Sequence, residues 1–185
     1  GQFVAIGRIV DVPGSSPALV KRSYSIGSSA NDRHAVQLFI VRIDDGEFTS
    51  WLFEQREGAR VWLAPKASGG FTLRGFEPGK DLVLVSTGTG VAPYVSMYRT
   101  HESEPPWRRI VIVNGVRFAA DLGFRDELEA AAARDPRLVY LPTTMREPAG
   151  SPWKGLRGRV GELIQPERYR ALVGAPLDTR ECHVY

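Results

Sequence analysis

The feature that most constrains this chain is a change of rhythm near residue 80. From Asp81 onward, compact apolar runs alternate with stretches at helical spacing: Leu82-Val83-Leu84-Val85, a helix from about Ala92, Ile110-Val111-Ile112-Val113, a longer helix through Phe124 to Ala133, then Leu138-Val139-Tyr140. Strand and helix taken in turn imply a parallel, doubly wound α/β sheet.

Before that point the chain reads as strands. Gly1–Arg8, Ala18–Gly27 and the β-branched and aromatic run Ala35–Ile43 are separated by turn clusters such as Pro13-Gly14-Ser15-Ser16. Phe48, Leu52 and Phe53 stand at helical spacing between Gly46 and Arg56, and Ala59–Pro65 returns to strand character. The expected fold is therefore a two-domain one, an antiparallel β-barrel over residues 1–77 followed by a Rossmann-like parallel-sheet domain over 78–185. The turn-rich Gly75-Phe76-Glu77-Pro78-Gly79 marks the division. Gly1 begins almost inside a strand, leaving few strands to close a barrel, and Cys182-His183-Val184-Tyr185 is a strand without a covering helix, so both domains are expected to continue beyond these ends. The single cysteine, Cys182, excludes an intrachain disulfide framework and a four-cysteine cluster held by this chain alone. Cys182 reads as a half-buried thiol, and a reducing, cytoplasmic setting is expected. No apolar run approaches the roughly 18–20 residues that span a bilayer.

Two constellations carry chemistry. At the end of the second strand, Arg22-Ser23-Tyr24-Ser25 offers a guanidinium for a diphosphate, an aromatic face for a ring system, and a hydroxyl suited to a flavin nitrogen whose protonation follows redox state. Taken alone these are also an exposed charge, a core ring and a turn residue. About twenty residues on, Gly46-Glu47-Phe48-Thr49 opens the short helix, so that its backbone N–H groups and the Thr49 hydroxyl are available to a pyrophosphate; an ordinary threonine cap is the plainer reading. In the second half, Ser86-Thr87-Gly88-Thr89-Gly90-Val91-Ala92-Pro93 joins strand to helix, and Gly88 and Gly90 let the backbone approach a pyrophosphate. Pro93 replaces the third glycine of the dinucleotide fingerprint and suits the first turn of a helix.

In these motifs the chain resembles the ferredoxin–NADP reductase family, which carries an Arg-x-Tyr-Ser strand, a Gly-x-x-Ser/Thr helix start and a Gly-Thr-Gly-x-Ala-Pro turn. The resemblance implies FAD in the first domain, contacted by Arg22, Ser23, Tyr24, Ser25, Phe39, Gly46, Phe48 and Thr49. It implies a nicotinamide nucleotide bound at Gly88, Thr89, Gly90 and Pro93, Thr89 facing both the flavin and the nicotinamide, with Tyr24, Ser25 and Thr89 as the catalytic set around the reacting rings. FAD is preferred to FMN through the resemblance alone. Arg117, Arg146 and Arg159 each follow a strand or loop of the second half, the first two 29 residues apart at successive strand ends. No acidic residue closely follows Val113 to take a ribose 2′-hydroxyl, whereas Arg117 suits a 2′-phosphate, so NADP(H) is expected in preference to NAD(H). Bacterial members resemble this chain in having arginines in matching loops, although Glu147–Arg157 is longer than the family usually shows.

The implied activity is electron transfer between NADPH and a one-electron carrier, ferredoxin or flavodoxin, through FAD. The net charge of +3 and pI near 9.2 suit an acidic redox partner. A monomer without metal, membrane or nucleic-acid partner is expected. Two other readings stand beside it: an NADH-dependent reductase component of an oxygenase, and a flavin-free binding module on the same scaffold.

Overall fold

The computed structural model describes residues 1–185 throughout. Strands β1 (Phe3–Val10) and β2 (Ala18–Ser25) pair antiparallel along their whole length, from Phe3 opposite Ser25 to Val10 opposite Ala18. The turn between them contains Gly14 at φ +74°, a left-handed conformation open to glycine without steric cost. Helix α1 (Glu47–Phe53) follows, and β3 (Trp62–Leu63) then joins the free edge of β1, giving the order β2-β1-β3. Phe48 seats α1 on this sheet: its ring is 2% exposed, stacked on Tyr24 at 6.3 Å and tilted against Trp51 at 5.4 Å.

Residues 35–43 depart from the strand expected of them. Only a single bridge, Leu38 to Ile26, ties them to a neighbour. The preceding turn is closed by the Asp32 carboxylate, which accepts from the His34 and Ala35 N–H groups, and Gln37 donates its N–H to Ser28 Oγ. These side-chain bonds compete with a ladder, and Phe39 is drawn across to the second half of the chain.

That half is a five-stranded sheet of β4 (Asp81–Thr87), β5 (Arg109–Val116), β6 (Leu138–Thr144), β7 (Leu156–Arg157) and β8 (Cys182–Val184). Its order is β7-β6-β5-β4-β8 with every neighbour parallel. Helices α2 (Ala92–His101) and α3 (Arg125–Arg134) cover one face, and α4 (Val160–Leu163) and α5 (Pro166–Val173) the other. The period of two along each strand divides the core accordingly. Leu82, Leu84, Ile110 and Ile112 meet Val95, Tyr98 and Leu128, while Val83, Val111 and Val113 meet Leu163 and Tyr169. All seven strand residues are fully buried, each worth roughly 1.5–3 kcal/mol. No helix is long and apolar enough to cross a membrane.

The two halves are joined through α2. Arg99 donates from Nε and Nη2 to the two carboxylate oxygens of Glu127 at 2.7 and 2.6 Å, and from Nη1 to the Gly27 carbonyl at 2.8 Å and Gln37 Oε1 at 2.6 Å. Its guanidinium also lies 5.3 Å from the centre of the Phe124 ring. Phe39 meets Phe124 edge-on at 5.4 Å and covers Gly123, where a Cβ would stand 2.3 Å from its ring. Phe124 itself has φ +59°, alone among the non-glycine residues in being positive. Such a conformation costs on the order of 1–3 kcal/mol and persists only where surrounding contacts over-determine it.

Candidate functional site

In the first half, Arg22, Ser23, Tyr24 and Ser25 close β2. Arg22 is exposed, its guanidinium held only by the Lys21 carbonyl at 2.8 Å. Tyr24 and Ser25 are half-buried and Ser23 is exposed. Burial raises the pKa of the Tyr24 hydroxyl, and the Arg22 charge beside it pulls the other way. Gly46 is required by close packing, since a Cβ there would stand 2.5 Å from Thr49 Oγ1 and 3.0 Å from Ile43 Cβ.

The structure gives two of the expected contact residues other occupations. Thr49 is 6% exposed, and its hydroxyl accepts from the Ile43 N–H at 3.1 Å while facing the Ile43 and Gly46 carbonyls at 3.2 and 3.3 Å. It closes the 43–46 loop, and its O–H proton faces these carbonyls and not a phosphate outside, leaving the first-turn N–H groups of α1 as the available donors. Phe39 follows Leu38, which bridges Ile26 just past the Arg22–Ser25 strand end, and its ring packs on Phe124 and over Gly123 at the junction of the halves.

In the second half, β4 passes into a 3-10 turn over Gly88–Val91 and then into α2, with Pro93 in its first turn. Gly88 has φ +53°, and nothing lies within 4 Å of where its Cβ would stand; at Gly90 the sole neighbour is Ser86 Cβ at 3.4 Å. The protein leaves open the space above both glycines. Thr89 is exposed between them. After β4 the chain runs outward through β5, β6 and β7 before returning to β8 on the other side, so this turn stands at the topological switch point, where open α/β sheets bind ligands. Beneath it Ser86 Oγ meets Asn114 Oδ1 at 3.2 Å, and the fully buried Asn114 leaves its Nδ2 without a partner. Gly115 lets α4 approach β5, since a Cβ there would lie 2.6 Å from Val160 Cγ1.

Tyr140 on β6 has a buried hydroxyl with no hydrogen-bond partner. Burial pushes its pKa from 10 up to about 12, against a smaller downward pull from the Asn114 side chain. A folded-state pKa above the unfolded one means that the stability it contributes is intact below pH 10 and lost as pH rises to about 12. Tyr140→Phe is therefore expected to hold neutral-pH stability and to flatten the alkaline loss in urea melts run at pH 9 to 12; an unchanged alkaline slope would refute it.

The three arginines come from adjacent strand ends. Arg146 donates its N–H to the Arg117 carbonyl at 2.8 Å, so the exits of β5 and β6 are locked together. The Gly158 N–H donates to the Thr144 carbonyl at 3.0 Å, and Thr143 Oγ1 to the Gly158 carbonyl at 2.8 Å, which sets Arg159 beside them. All three are exposed. Arg8, Arg99, Arg108, Arg125, Arg137 and Arg180 are each ion-paired, whereas Arg117, Arg146 and Arg159 have no acidic partner. A cavity of about 850 Å³ opens at this end of the sheet between Phe118, Tyr140, Glu147 and Trp153.

Residues 84–185 match the family model of the oxidoreductase NAD-binding domain. The ferredoxin–NADP reductase of Pseudomonas aeruginosa is 30% identical over 184 residues, covering 95% of this chain and 67% of that protein. Ferredoxin–NADP reductase B of Sorangium cellulosum is 36% identical over 178 residues, covering 96% and 69%. The chain belongs to the ferredoxin–NADP reductase family. Among solved structures, a ferredoxin NADP+ reductase from Neisseria gonorrhoeae with bound FAD and NADP superposes with a TM-score of 0.84 at 25% identity, over 99% of this chain and 70% of that one. The chain thus spans about two thirds of the length of these relatives. Membership makes it an oxidoreductase chain with the family's two-part architecture, antiparallel sheet followed by parallel sheet.

Sequence reasoning missed Arg99, Phe124, Glu147 and Trp153 in this reductase chain. The first two look like a helix charge and a helix start, and nothing local announces that they meet Gly27, Gln37 and Phe39. Glu147 and Trp153 lie in the segment whose unusual length was the one available signal.

Proposed function

We propose that this chain carries FAD at the Arg22–Ser25 strand end and NADP(H) along the carboxyl edge of the parallel sheet, and that it moves electrons between NADPH and ferredoxin or flavodoxin. The observation that carries the reading is the set of three unpaired arginines on adjacent strand ends, beyond a glycine turn with open space above it. The residues present fit both groups: an exposed guanidinium beside a half-buried aromatic ring for the flavin, and three exposed arginines held in no ion pair for the phosphorylated nucleotide. The division between the two binding regions falls at residues 77 and 78, between the last antiparallel strand and β4.

Bound FAD supplies the chemistry, accepting electrons in pairs and releasing them singly. The chain supplies position. Arg22 binds the diphosphate, Tyr24 flanks the ring system against its Phe48 backing, and Ser25 holds a ring nitrogen by a hydrogen bond. Gly88 and Gly90 admit the second nucleotide and Thr89 lies between them. Arg117, Arg146 and Arg159 bind its 2′-phosphate, where guanidinium forks match phosphate oxygens. The overall charge of +3 favours an acidic carrier protein.

A visible absorption spectrum of the full-length protein, followed by anaerobic addition of NADPH or NADH, tests this. A flavin spectrum bleached faster by NADPH is the expected result. Preferential bleaching by NADH would move the chain to the oxygenase-reductase reading, and absence of flavin after reconstitution would leave the scaffold without this function.

A further inference from the structure

Between Arg146 and Arg159 run twelve residues that a plain strand-to-helix connection does not need. They fold back on the turn that carries Arg117. Trp153 is 7% exposed and packs on Val116 and Leu122, which bracket Arg117. Its Nε1 donates to the Leu156 carbonyl at 3.0 Å, and its ring lies 4.8 Å from the Arg125 guanidinium, itself held by Glu129. Gly155 is needed beneath it, since a Cβ there would fall 2.2 Å from the indole.

Glu147, the neighbour of Arg146, reaches across to the same turn. Its carboxylate accepts from the Ala119 N–H and from Ser151 Oγ, and its carbonyl accepts from Arg157 Nη1 at 3.0 Å. The Ser151 and Ala119 donors hold that carboxyl below the usual carboxylate range, so at neutral pH it is an anchor and not a proton donor. Each arginine is thus one or two residues from a member of the clamp: Arg117 from Val116 and Ala119, Arg146 from Glu147, Arg159 from Arg157.

We infer that the Trp153–Glu147 clamp is the positioning element that sets the three arginines at the spacing of one phosphate, and so determines selectivity for a 2′-phosphorylated nucleotide. This rests on the arginine reading under Proposed function and adds residues that touch no phosphate themselves. Binding contacts held by a rigid supporting shell lose affinity when that shell loosens, although every contacting residue is retained.

The test uses the full-length, flavin-loaded protein and calorimetric dissociation constants for 2′,5′-ADP and 5′-AMP, with the ratio of kcat/KM for NADPH and NADH beside them. Trp153→Ala is expected to weaken 2′,5′-ADP about tenfold while 5′-AMP changes less than about twofold, and Trp153→Phe, which keeps the packing, is expected to restore most of the loss. Gly155→Ala displaces the indole without deleting it and is expected to reproduce the loss, which guards against a Trp153→Ala protein that fails to fold. Unchanged preference for 2′,5′-ADP in Gly155→Ala, or equal weakening of both ligands, overturns the inference and leaves the arginine site standing. A wild-type protein that binds both ligands equally overturns the arginine reading and this inference with it.

Discussion

Replacing Arg117 and Arg146 together by alanine is expected to raise the Michaelis constant for NADPH by about a hundredfold, while that for NADH moves less than about threefold. Each charge-assisted hydrogen bond to a phosphate contributes about 1.5–3 kcal/mol, and 1.4 kcal/mol is a factor of ten. Two such contacts span about 10²–10⁴ on additivity; neighbouring groups on one ligand are not additive, so the lower figure is the expectation. Both side chains are exposed and free of carboxylates, so mutation leaves no buried charge behind and the flavin spectrum stays unaltered. The wild-type preference should also shrink with added salt, because exposed charges are screened over about 8 Å at physiological ionic strength. Steady-state kinetics with each nucleotide, at two salt concentrations, checks both statements. Equal losses with NADPH and NADH would assign the arginines to the common diphosphate, and no loss would remove them from the site.

How far such residues could be read from sequence depends on how local their determinants are. Leu82–Val85 and Ile110–Val113 announce central parallel strands because burial on both faces leaves no polar position to confuse the pattern, and β4 and β5 lie there. The Gly88–Pro93 turn is equally local: one residue needs positive φ and another needs no N–H, and both are where the turn requires them. β7, with two residues, is too short to show any period. α5 is short as well, although Pro166 in its first turn and Gly174 at φ +74° after its last bracket it as chemistry would predict. Ala35–Ile43 fails for the opposite reason. Its strand propensity is real, but the Asp32 and Ser28 side chains take the His34 and Gln37 N–H groups, and the Phe39 ring covers Gly123. The Thr49 hydroxyl shows the same limit at the site: spacing places it at a helix start and cannot show which way it turns.

Arg99 has the most non-local surroundings of all, and its loss is expected to be the most disruptive to the molecule as a whole. Four hydrogen bonds and a ring contact converge on one guanidinium from Gly27, Gln37, Glu127 and Phe124. Arg99→Ala removes the tie between residues 27–39 and the α2–α3 face, and with it part of what holds Phe124 at positive φ. Glu127 is 40% exposed and can rehydrate, which moderates the cost; the Gly27 carbonyl and the Phe39–Phe124 packing are less readily compensated. A loss of about 2–4 kcal/mol follows, or a fall in Tm on the order of 5–10 °C for a chain of this size. Because the loss falls on the junction, scanning calorimetry of the full-length protein is expected to resolve two transitions where the wild type shows one, the antiparallel half melting first. Arg99→Lys supplies one ammonium where a planar fork is needed and should recover less than half of the loss. A single transition in Arg99→Ala, within about 2 °C of wild type, would show that the junction is held by the apolar contacts of Phe39 and Phe124 and that the guanidinium is dispensable there.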